Sequence, residues 1–307
     1  MILETSKEIL KEYIVCNHCL GRQFGKISRS TNERRGKVIR NLLNIIFPEI
    51  SSNLFDEKPC FLCDNIFERT KEILKDLSPD FEFFTFHVGT KIPEEILKKE
   101  EMLKDRFGLD YQESIKQELN RELGKIVSTL LGKEFKREKE DVTILVHPYA
   151  SKVEYIINPI FIYGRYNKLL RGIPQTKWFC RKCKGKGCVK CGNTGKMYDE
   201  SVEELVSKIF LKETKGLDSS FHGAGREDID VLMLGTGRPF VLEIKSPKIR
   251  NIDLQKLELK VNEMNEGKVK ISNLIFVEKE VVEKIKSTNL KKVYMAKIDA
   301  FLNELEK

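Results

Sequence analysis

The sequence predicts a multidomain α+β protein. Segments with apolar residues at helical spacing are mixed with shorter segments in which apolar and polar residues alternate, and C-x-x-C pairs interrupt the chain at separate places. At 307 residues the chain can form two or three domains, each with its own core. Hydrophobic residues make up 40% and charged residues 33%, which indicates soluble folded domains rather than a disordered chain.

The first predicted domain, residues 1–75, is helical. Apolar spacing predicts helices over 7–15, 33–47 and 65–74; the first leads into Cys16 and the last follows Cys63. The segment has little apolar material for a core of its own. We therefore expect a metal ion to hold it together.

The second predicted domain, residues 76–176, mixes strands with helices. Val142, Ile144 and Val146 alternate with polar neighbours, as in a half-buried strand. Strands and helices of this length together indicate a separate α+β unit. The expected strands are 81–88, 141–147 and 152–163, and the expected helices are 98–103 and 111–131.

Two further segments complete the predicted organisation. Residues 177–199 form a short cysteine cluster with glycines that permit tight turns. Residues 200–307 form the last domain, in which a helix is expected over 203–211 and a hairpin with further α/β pattern begins near residue 229.

The bulk properties exclude a membrane or secreted protein. No apolar run has the length needed to cross a bilayer. The first fifteen residues contain Glu4, Lys7, Glu8 and Lys11, so they do not form a signal peptide. We therefore predict a cytoplasmic protein with no membrane partner, whose net charge of +8 permits an acidic one.

All eight cysteines occur in C-x-x-C pairs, which predicts two four-cysteine zinc sites. Two intervening residues let one tight turn direct both thiolates at a single tetrahedral ion. A redox pair would explain one of the four pairs and leave three without a role, and an iron–sulfur site is the alternative for the second cluster. The four histidines show no ligand spacing. The predicted ligands are Cys16, Cys19, Cys60, Cys63, Cys180, Cys183, Cys188 and Cys191, with structural zinc, two ions in all, as the cofactor.

A basic segment, residues 155–198, predicts RNA binding. It contains ten Lys or Arg residues, no Asp or Glu, and interleaved aromatic residues. Cations neutralise phosphates and aromatic rings stack on unpaired bases. A solvated basic face is the better interpretation of any single lysine, but an uninterrupted run of ten favours RNA. The predicted RNA contacts are Arg165, Lys168, Arg171, Lys177, Trp178, Lys184 and Lys186.

A predicted hairpin, residues 228–245, contains the candidate catalytic carboxylate. In an extended strand Asp228 and Asp230 lie on one face, and a turn at residues 235–237 returns the chain. Arg226 and Arg238 lie close in sequence, and cations keep an aspartate charged when substrate displaces water. On charges alone, a surface hairpin with salt bridges is the competing interpretation.

The same residues resemble a known family. The segment G-R-E-D-I-D-V, followed by L-G-T-G-R-P-F-V-L-E-I-K, resembles the catalytic motif of the Pus-ten family of tRNA pseudouridine synthases. Three further segments resemble sequences of the same family and occur in the same order along the chain. They are V-C-N-H-C-L-G-R-Q-F-G from Val15, R-Y-N-K-L-L-R-G-I-P-Q-T-K-W from Arg165 and S-V-E-E-L from Ser201. The second cysteine cluster makes the chain similar to the archaeal members.

The resemblance implies a fold and an activity. It implies a zinc-binding N-terminal module, a THUMP-like RNA-binding domain over 76–176, and the N-terminal half of a pseudouridine synthase domain over 200–307. Family members convert uridines 54 and 55 in the TΨC loop of tRNA without an organic cofactor. The G-R-x-D turn then assigns Asp228 as the nucleophile, with Arg226 orienting its charge and with Asp230, Arg238 and Glu243 as hairpin support.

Three functions are consistent with these features. Family members continue past the position equivalent to Leu305, so the first is a synthase whose C-terminal half comes from a second polypeptide or is missing from this sequence. The second is a non-catalytic zinc and THUMP protein that binds tRNA or acts as an RNA chaperone. The third, a redox or chaperone zinc protein, does not explain the G-R-E-D segment. Retention of the whole motif favours the synthase.

Overall fold

A computed structural model describes residues 1–48, 59–288, 291 and 293–297. The chain divides into two compact units, Met1–Asn158 and Pro159–Lys307. Helices and strands occur in both units, so the predicted α+β class is confirmed. None of the described helices has the length and apolar character needed to cross a membrane.

The first unit begins with four helices around the first cysteine cluster. The helices are α1 (Ile2–Glu12), α2 (Asn17–Arg22), α3 (Asn32–Ile46) and α4 (Ile66–Lys75). Helix α3 begins after Thr31, whose side chain accepts a hydrogen bond from the Arg34 N–H and thereby caps the helix. Helices α2 and α3 approach very closely: a Cβ on Gly21 would lie 1.8 Å from the Asn32 carbonyl oxygen. Only glycine fits there, and the contact fixes the helix that carries Cys19.

A four-stranded mixed sheet with two helices completes the first unit. Its elements are β1 (Thr85–Thr90), α5 (Glu94–Phe107), α6 (Ile115–Leu131), β2 (Glu134–Phe135), β3 (Val142–His147) and β4 (Lys152–Ile157). The strand order is β2-β1-β3-β4; β1 is parallel to β2 and β3, and β4 is antiparallel to β3. One continuous core runs from Ile9 to Val146, so the cysteine module and the sheet share it.

The second unit contains an antiparallel sheet and three helices. The elements are β5 (Ile160–Lys168), α7 (Val202–Thr214), β6 (Asp218–Gly223), β7 (Met233–Lys245), α8 (Leu254–Met264), β8 (Val269–Val277) and α9 (Glu280–Ser287). The strand order is β6-β7-β5-β8. Buried residues of α7 and α8, including Phe210 and Val261, pack with Ile162 and Leu242 in one cluster, and α9 packs against a second cluster with Phe161 and Val241.

The structure corrects two sequence predictions about strands. The expected strand 152–163 is two strands in different sheets, because Pro159 has no N–H to donate and the Asn158 N–H bonds to Asp141 (2.9 Å). Residues 160–168 therefore lie in the second unit, although the sequence analysis placed them in the domain ending at 176. Residues 228–231 are not a strand but part of the loop between β6 and β7.

The expected turn at residues 235–237 is a bulge within β7. Tyr166 pairs with Arg238 and Lys168 pairs with Met233, so Asn167 lies opposite four residues, 234–237. Gly235 and Gly237 have φ angles of 66° and 73°, which only glycine adopts without strain.

Candidate active site and metal centres

The first cysteine cluster lies in the core of the first unit. The sulfur atoms of Cys16, Cys19, Cys60 and Cys63 all lie within 4.8 Å of one another, and those of Cys16 and Cys63 are 3.7 Å apart. Zinc–sulfur bonds of about 2.3 Å in a tetrahedron place sulfurs about 3.8 Å apart. The four residues could therefore hold one metal ion, and the two distant pairs meet as the sequence predicted.

A buried polar cluster surrounds these cysteines. Arg22, fully buried, has its Nε atom 3.4 Å from Oε1 of Glu100. The His18 ring stacks on Phe67 at 3.8 Å, and its Nδ1 lies 2.8 Å from Oε1 of Glu118. His18 thus has its own partners and is not needed as a metal ligand.

The second cysteine cluster closes a hairpin, residues 177–199, which we call the knuckle hairpin. Its two ends are joined by hydrogen bonds from Cys180 N to Gly195 O (2.8 Å) and from Met197 N to Trp178 O (2.9 Å). The four sulfurs lie within 4.8 Å, with Cys180–Cys188 at 3.9 Å and Cys183–Cys191 at 3.8 Å. These distances also suit one tetrahedral ion, here at the protein surface.

Asp228 lies on the loop between β6 and β7, residues 224–232, and its side chain is exposed. The backbone around it is fixed. The Lys168 ammonium donates to the carbonyls of Asp228 (2.9 Å) and Ile229 (3.1 Å), and the Gly172 N–H donates to Ile229 (2.9 Å). The loop therefore presents a solvent-accessible carboxylate on a rigid backbone.

Glu227, directly before Asp228, is buried and anchors the loop to the sheet. Its Oε2 accepts a hydrogen bond from the Tyr166 hydroxyl (2.7 Å) and lies 2.9 Å from Nε of Arg238. Gln175 donates to the Tyr166 hydroxyl (2.7 Å) and to the Gly225 carbonyl (3.0 Å). Burial raises the pKa of Tyr166 well above its usual value, and the neighbouring Glu227 carboxylate raises it further. The Tyr166 hydroxyl therefore keeps its proton and donates it in the hydrogen bond to Glu227.

Sequence reasoning missed Glu227, although a signal was present. In the extended pattern that the sequence suggested, Glu227 shares a face with Ile229, the apolar side, while Asp228 is on the other. A carboxylate on the apolar side needs a buried partner, and Arg238 is that partner.

The other predicted catalytic residues have different contacts from those expected. The guanidinium carbon of Arg226 lies 4.9 Å from the centre of the Trp178 ring, and within the described residues Arg226 forms no ion pair with Asp228. The Asp230 side chain is exposed, and its carbonyl accepts a hydrogen bond from Arg171. Glu243 lies 2.9 Å from Nε2 of His222.

The predicted RNA contacts separate into two groups. Lys168 is fully buried and cannot reach RNA, so that prediction is wrong: its ammonium also donates to Ile173 O (3.1 Å). Arg165 donates to the carbonyls of Thr236 (2.6 Å) and Gly237 (2.7 Å), which holds the bulge of β7. The remaining predicted contacts are solvent-accessible, with Trp178 half-buried: Arg171, Lys177, Trp178, Lys184 and Lys186.

Asp228 is exposed on a fixed loop, and Arg226 of the same loop lies over the Trp178 ring of the basic knuckle hairpin. This combination suits an enzyme that acts on nucleic acid. Two family models match the chain: "Pus10 THUMP domain, archaeal" over residues 70–147 and "Pus10, C-terminal" over 161–304.

Curated relatives agree with the family models. The chain is 42% identical over 299 residues to the tRNA pseudouridine synthase Pus10 of Pyrococcus furiosus, covering 96% of this chain and 71% of the relative. It is 44% identical over 296 residues to the enzyme of that name from Methanothermobacter marburgensis, covering 93% and 71%. The chain belongs to the Pus10 family of tRNA pseudouridine synthases, which are isomerases, and the predicted resemblance is confirmed. A second polypeptide, expected from the sequence, has no support in these comparisons.

Proposed function

We propose that this chain isomerises uridines 54 and 55 in the TΨC loop of tRNA to pseudouridine, with Asp228 as the nucleophile. The observation that carries the proposal is the exposed Asp228 carboxylate on a loop whose backbone is fixed on both sides, by Glu227 before it and by Lys168 after it. A nucleophile with a fixed backbone is held near the geometry in which it reacts.

The reaction needs the uridine outside the base stack. A stacked base shields the atoms that react, so the target nucleotide is expected to flip toward the exposed carboxylate. The Asp228 carboxylate attacks C1′ of the ribose, which breaks the bond between C1′ and N1 and releases the base as its anion. The base rotates, and C5 bonds to C1′ as the bond between C1′ and Asp228 breaks, which regenerates the carboxylate. C5 then loses its proton and N1 gains one. Base and sugar are neither oxidised nor reduced overall, so no organic cofactor is required.

Neighbouring residues have supporting roles in this proposal. Arg226, which belongs to the same loop and lies over the Trp178 ring, provides a positive charge for the anionic substrate. Arg238 acts through Glu227, and Glu243 through His222, to hold the strands that carry the loop. The two cysteine clusters hold structural zinc, and the cytoplasmic location stays a prediction.

The test is pseudouridine mapping at single-nucleotide resolution on an unmodified tRNA transcript incubated with the purified chain. We expect pseudouridine at the two positions with the wild-type chain, none with Asp228→Asn, and unchanged tRNA affinity. Asp230→Asn is the matched control, because Asp230 is also exposed on the same loop, and it should keep its activity.

Two outcomes would contradict the proposal. Pseudouridine formation by Asp228→Asn would remove the assignment of the nucleophile. Tight tRNA binding without product from the wild-type chain would favour the non-catalytic tRNA-binding function instead.

A further inference from the structure

The ten cations of the basic segment have two different environments. Within the described residues, the first three contact backbone carbonyls around the β6–β7 loop and the β7 bulge: Arg165, Lys168 and Arg171. Lys196 forms an ion pair with Glu204 (2.7 Å) and donates to Asp199 O. Lys177 lies over the Phe179 ring at 5.1 Å. The sequence alone did not distinguish these residues from the five that remain.

The remaining five cations lie on the knuckle hairpin and are all exposed. Within the part of the chain that the structure describes, none of them has an acidic partner. They are Arg181, Lys182, Lys184, Lys186 and Lys190.

The hairpin holds these charges close together. All five lie within a ten-residue segment that the cysteine cluster folds back on itself. Val189, at the turn between two of the cysteines, is 92% exposed, so this end of the hairpin projects into solvent. Concentrating like charges is unfavourable unless an anion neutralises them.

We infer that the knuckle hairpin is a phosphate-binding element that contacts the RNA backbone, separate from the loop that carries Asp228. This inference rests on the proposed function, because tRNA supplies the phosphates. Lysine ammonium groups bind phosphate as point charges without reading bases, so the contact contributes affinity and orientation, not sequence selection. It also adds Arg181, Lys182 and Lys190 to the RNA-binding residues predicted from the sequence.

The test measures the equilibrium affinity for unmodified tRNA over a range of salt concentrations. The five cations are changed together to Gln in the full chain. Each phosphate contact contributes about 0.9 to the slope of log affinity against log salt for a duplex, so we expect the slope to fall by roughly three to five. Affinity near physiological salt should fall at least about tenfold.

A matched variant carries Gln at five other exposed lysines of the second unit, which lose the same total charge: Lys208, Lys212, Lys256, Lys270 and Lys284. Its slope should change by less than half as much. Lys196→Gln provides a second control on the hairpin itself, because Glu204 already neutralises that charge. Metal content and the thermal midpoint of each variant confirm that the hairpin is intact.

Equal slopes for the hairpin variant and the matched variant would overturn the inference. The measured slope does not depend on catalysis, and the Asp228→Asn variant should show the same salt dependence of tRNA affinity as the wild-type chain. An inactive wild-type chain with a normal hairpin effect would count against the proposed isomerisation only.

Discussion

The Nε atom of Arg238 lies 2.9 Å from Oε2 of Glu227, and both side chains are more than nine-tenths buried. The pair joins the loop that carries Asp228 to the central strand β7. Arg238 also donates to the Ala224 carbonyl (2.7 Å), so one arginine holds the beginning of the loop by its backbone and the middle by a carboxylate. The residues next to Asp228 in the sequence therefore determine the position of its backbone.

Glu227→Ala should destabilise the second unit strongly. Removing one partner leaves the Arg238 charge buried and uncompensated, which costs about 3–5 kcal/mol. Glu227→Gln should cost less, because its amide oxygen can still accept from Tyr166. Denaturant unfolding measures the loss. The matched control, Asp230→Asn on the exposed side of the loop, should change stability by less than about 0.5 kcal/mol; a similar loss in both variants would contradict this account.

Local chemistry made part of the site predictable. A C-x-x-C spacing encodes a turn that directs two sulfurs to one point, and both clusters formed as the spacing indicated. Asp228 was predicted from the resemblance of the G-R-E-D segment to the family's catalytic motif, and its role as the nucleophile stays a prediction.

Non-local pairing made the rest unpredictable. Strand β5 pairs with β7 and β8, so residues 160–168 lie in the second unit although the apolar pattern runs on from β4. Lys168 looked like one more exposed cation in a basic run. Only the folded chain brings the carbonyls of Asp228 and Ile229, about sixty residues away, to its ammonium.

The stability that Lys168 contributes should depend on pH. Burial lowers the pKa of Lys168 below its usual value of 10.5, so the unfolded chain holds this proton more tightly than the folded one. The free energy of unfolding attributable to Lys168 should therefore rise with pH between the lowered pKa and 10.5. Lys168→Met lacks this titration and leaves loop carbonyls without their donor, at a cost of about 1–3 kcal/mol near neutral pH.

The measurement is the difference in unfolding free energy between wild-type and Lys168→Met chains from pH 7 to 11. The difference should widen as the pH rises. Groups common to both chains cancel in this comparison. If the difference in unfolding free energy were the same at every pH, Lys168 would titrate in the folded chain as it does in the unfolded chain.

Loss of metal should affect the two units differently. Cys63 is fully buried in the core of the first unit, whereas Cys183 is partly exposed on the knuckle hairpin. Structural zinc contributes folding free energy where the site forms part of the core. Cys63→Ser should remove one zinc ion and lower the thermal midpoint of the first unit by more than about 10 °C, while Cys183→Ser should remove one ion with a much smaller shift.

Metal analysis of the purified chains, combined with calorimetry, tests this pair of variants. Wild-type protein should contain two zinc ions, one for each cysteine cluster. Iron in place of zinc would assign a different metal, and equal thermal shifts would show that the hairpin is as important for stability as the core site.

Trp178 is the single tryptophan of the chain, so its fluorescence reports on the contact between the knuckle hairpin and Arg226 of the Asp228 loop. The Arg226 guanidinium carbon lies 4.9 Å from its ring centre, and the Tyr198 ring packs in a T-shaped arrangement with it, the two ring centres 5.7 Å apart. Because Arg226 belongs to the Asp228 loop, we expect RNA bound at that loop to lie near this indole. We expect tRNA to quench the emission in wild-type and in Asp228→Asn chains alike.

Trp178→Ala should raise KM about fivefold or more with little change in kcat, because loss of an aromatic contact to a base costs about 1–3 kcal/mol of binding. Trp178→Phe, which keeps an aromatic ring under Arg226, should recover most of the affinity. A fall in kcat without a change in KM would instead assign Trp178 to positioning of the loop.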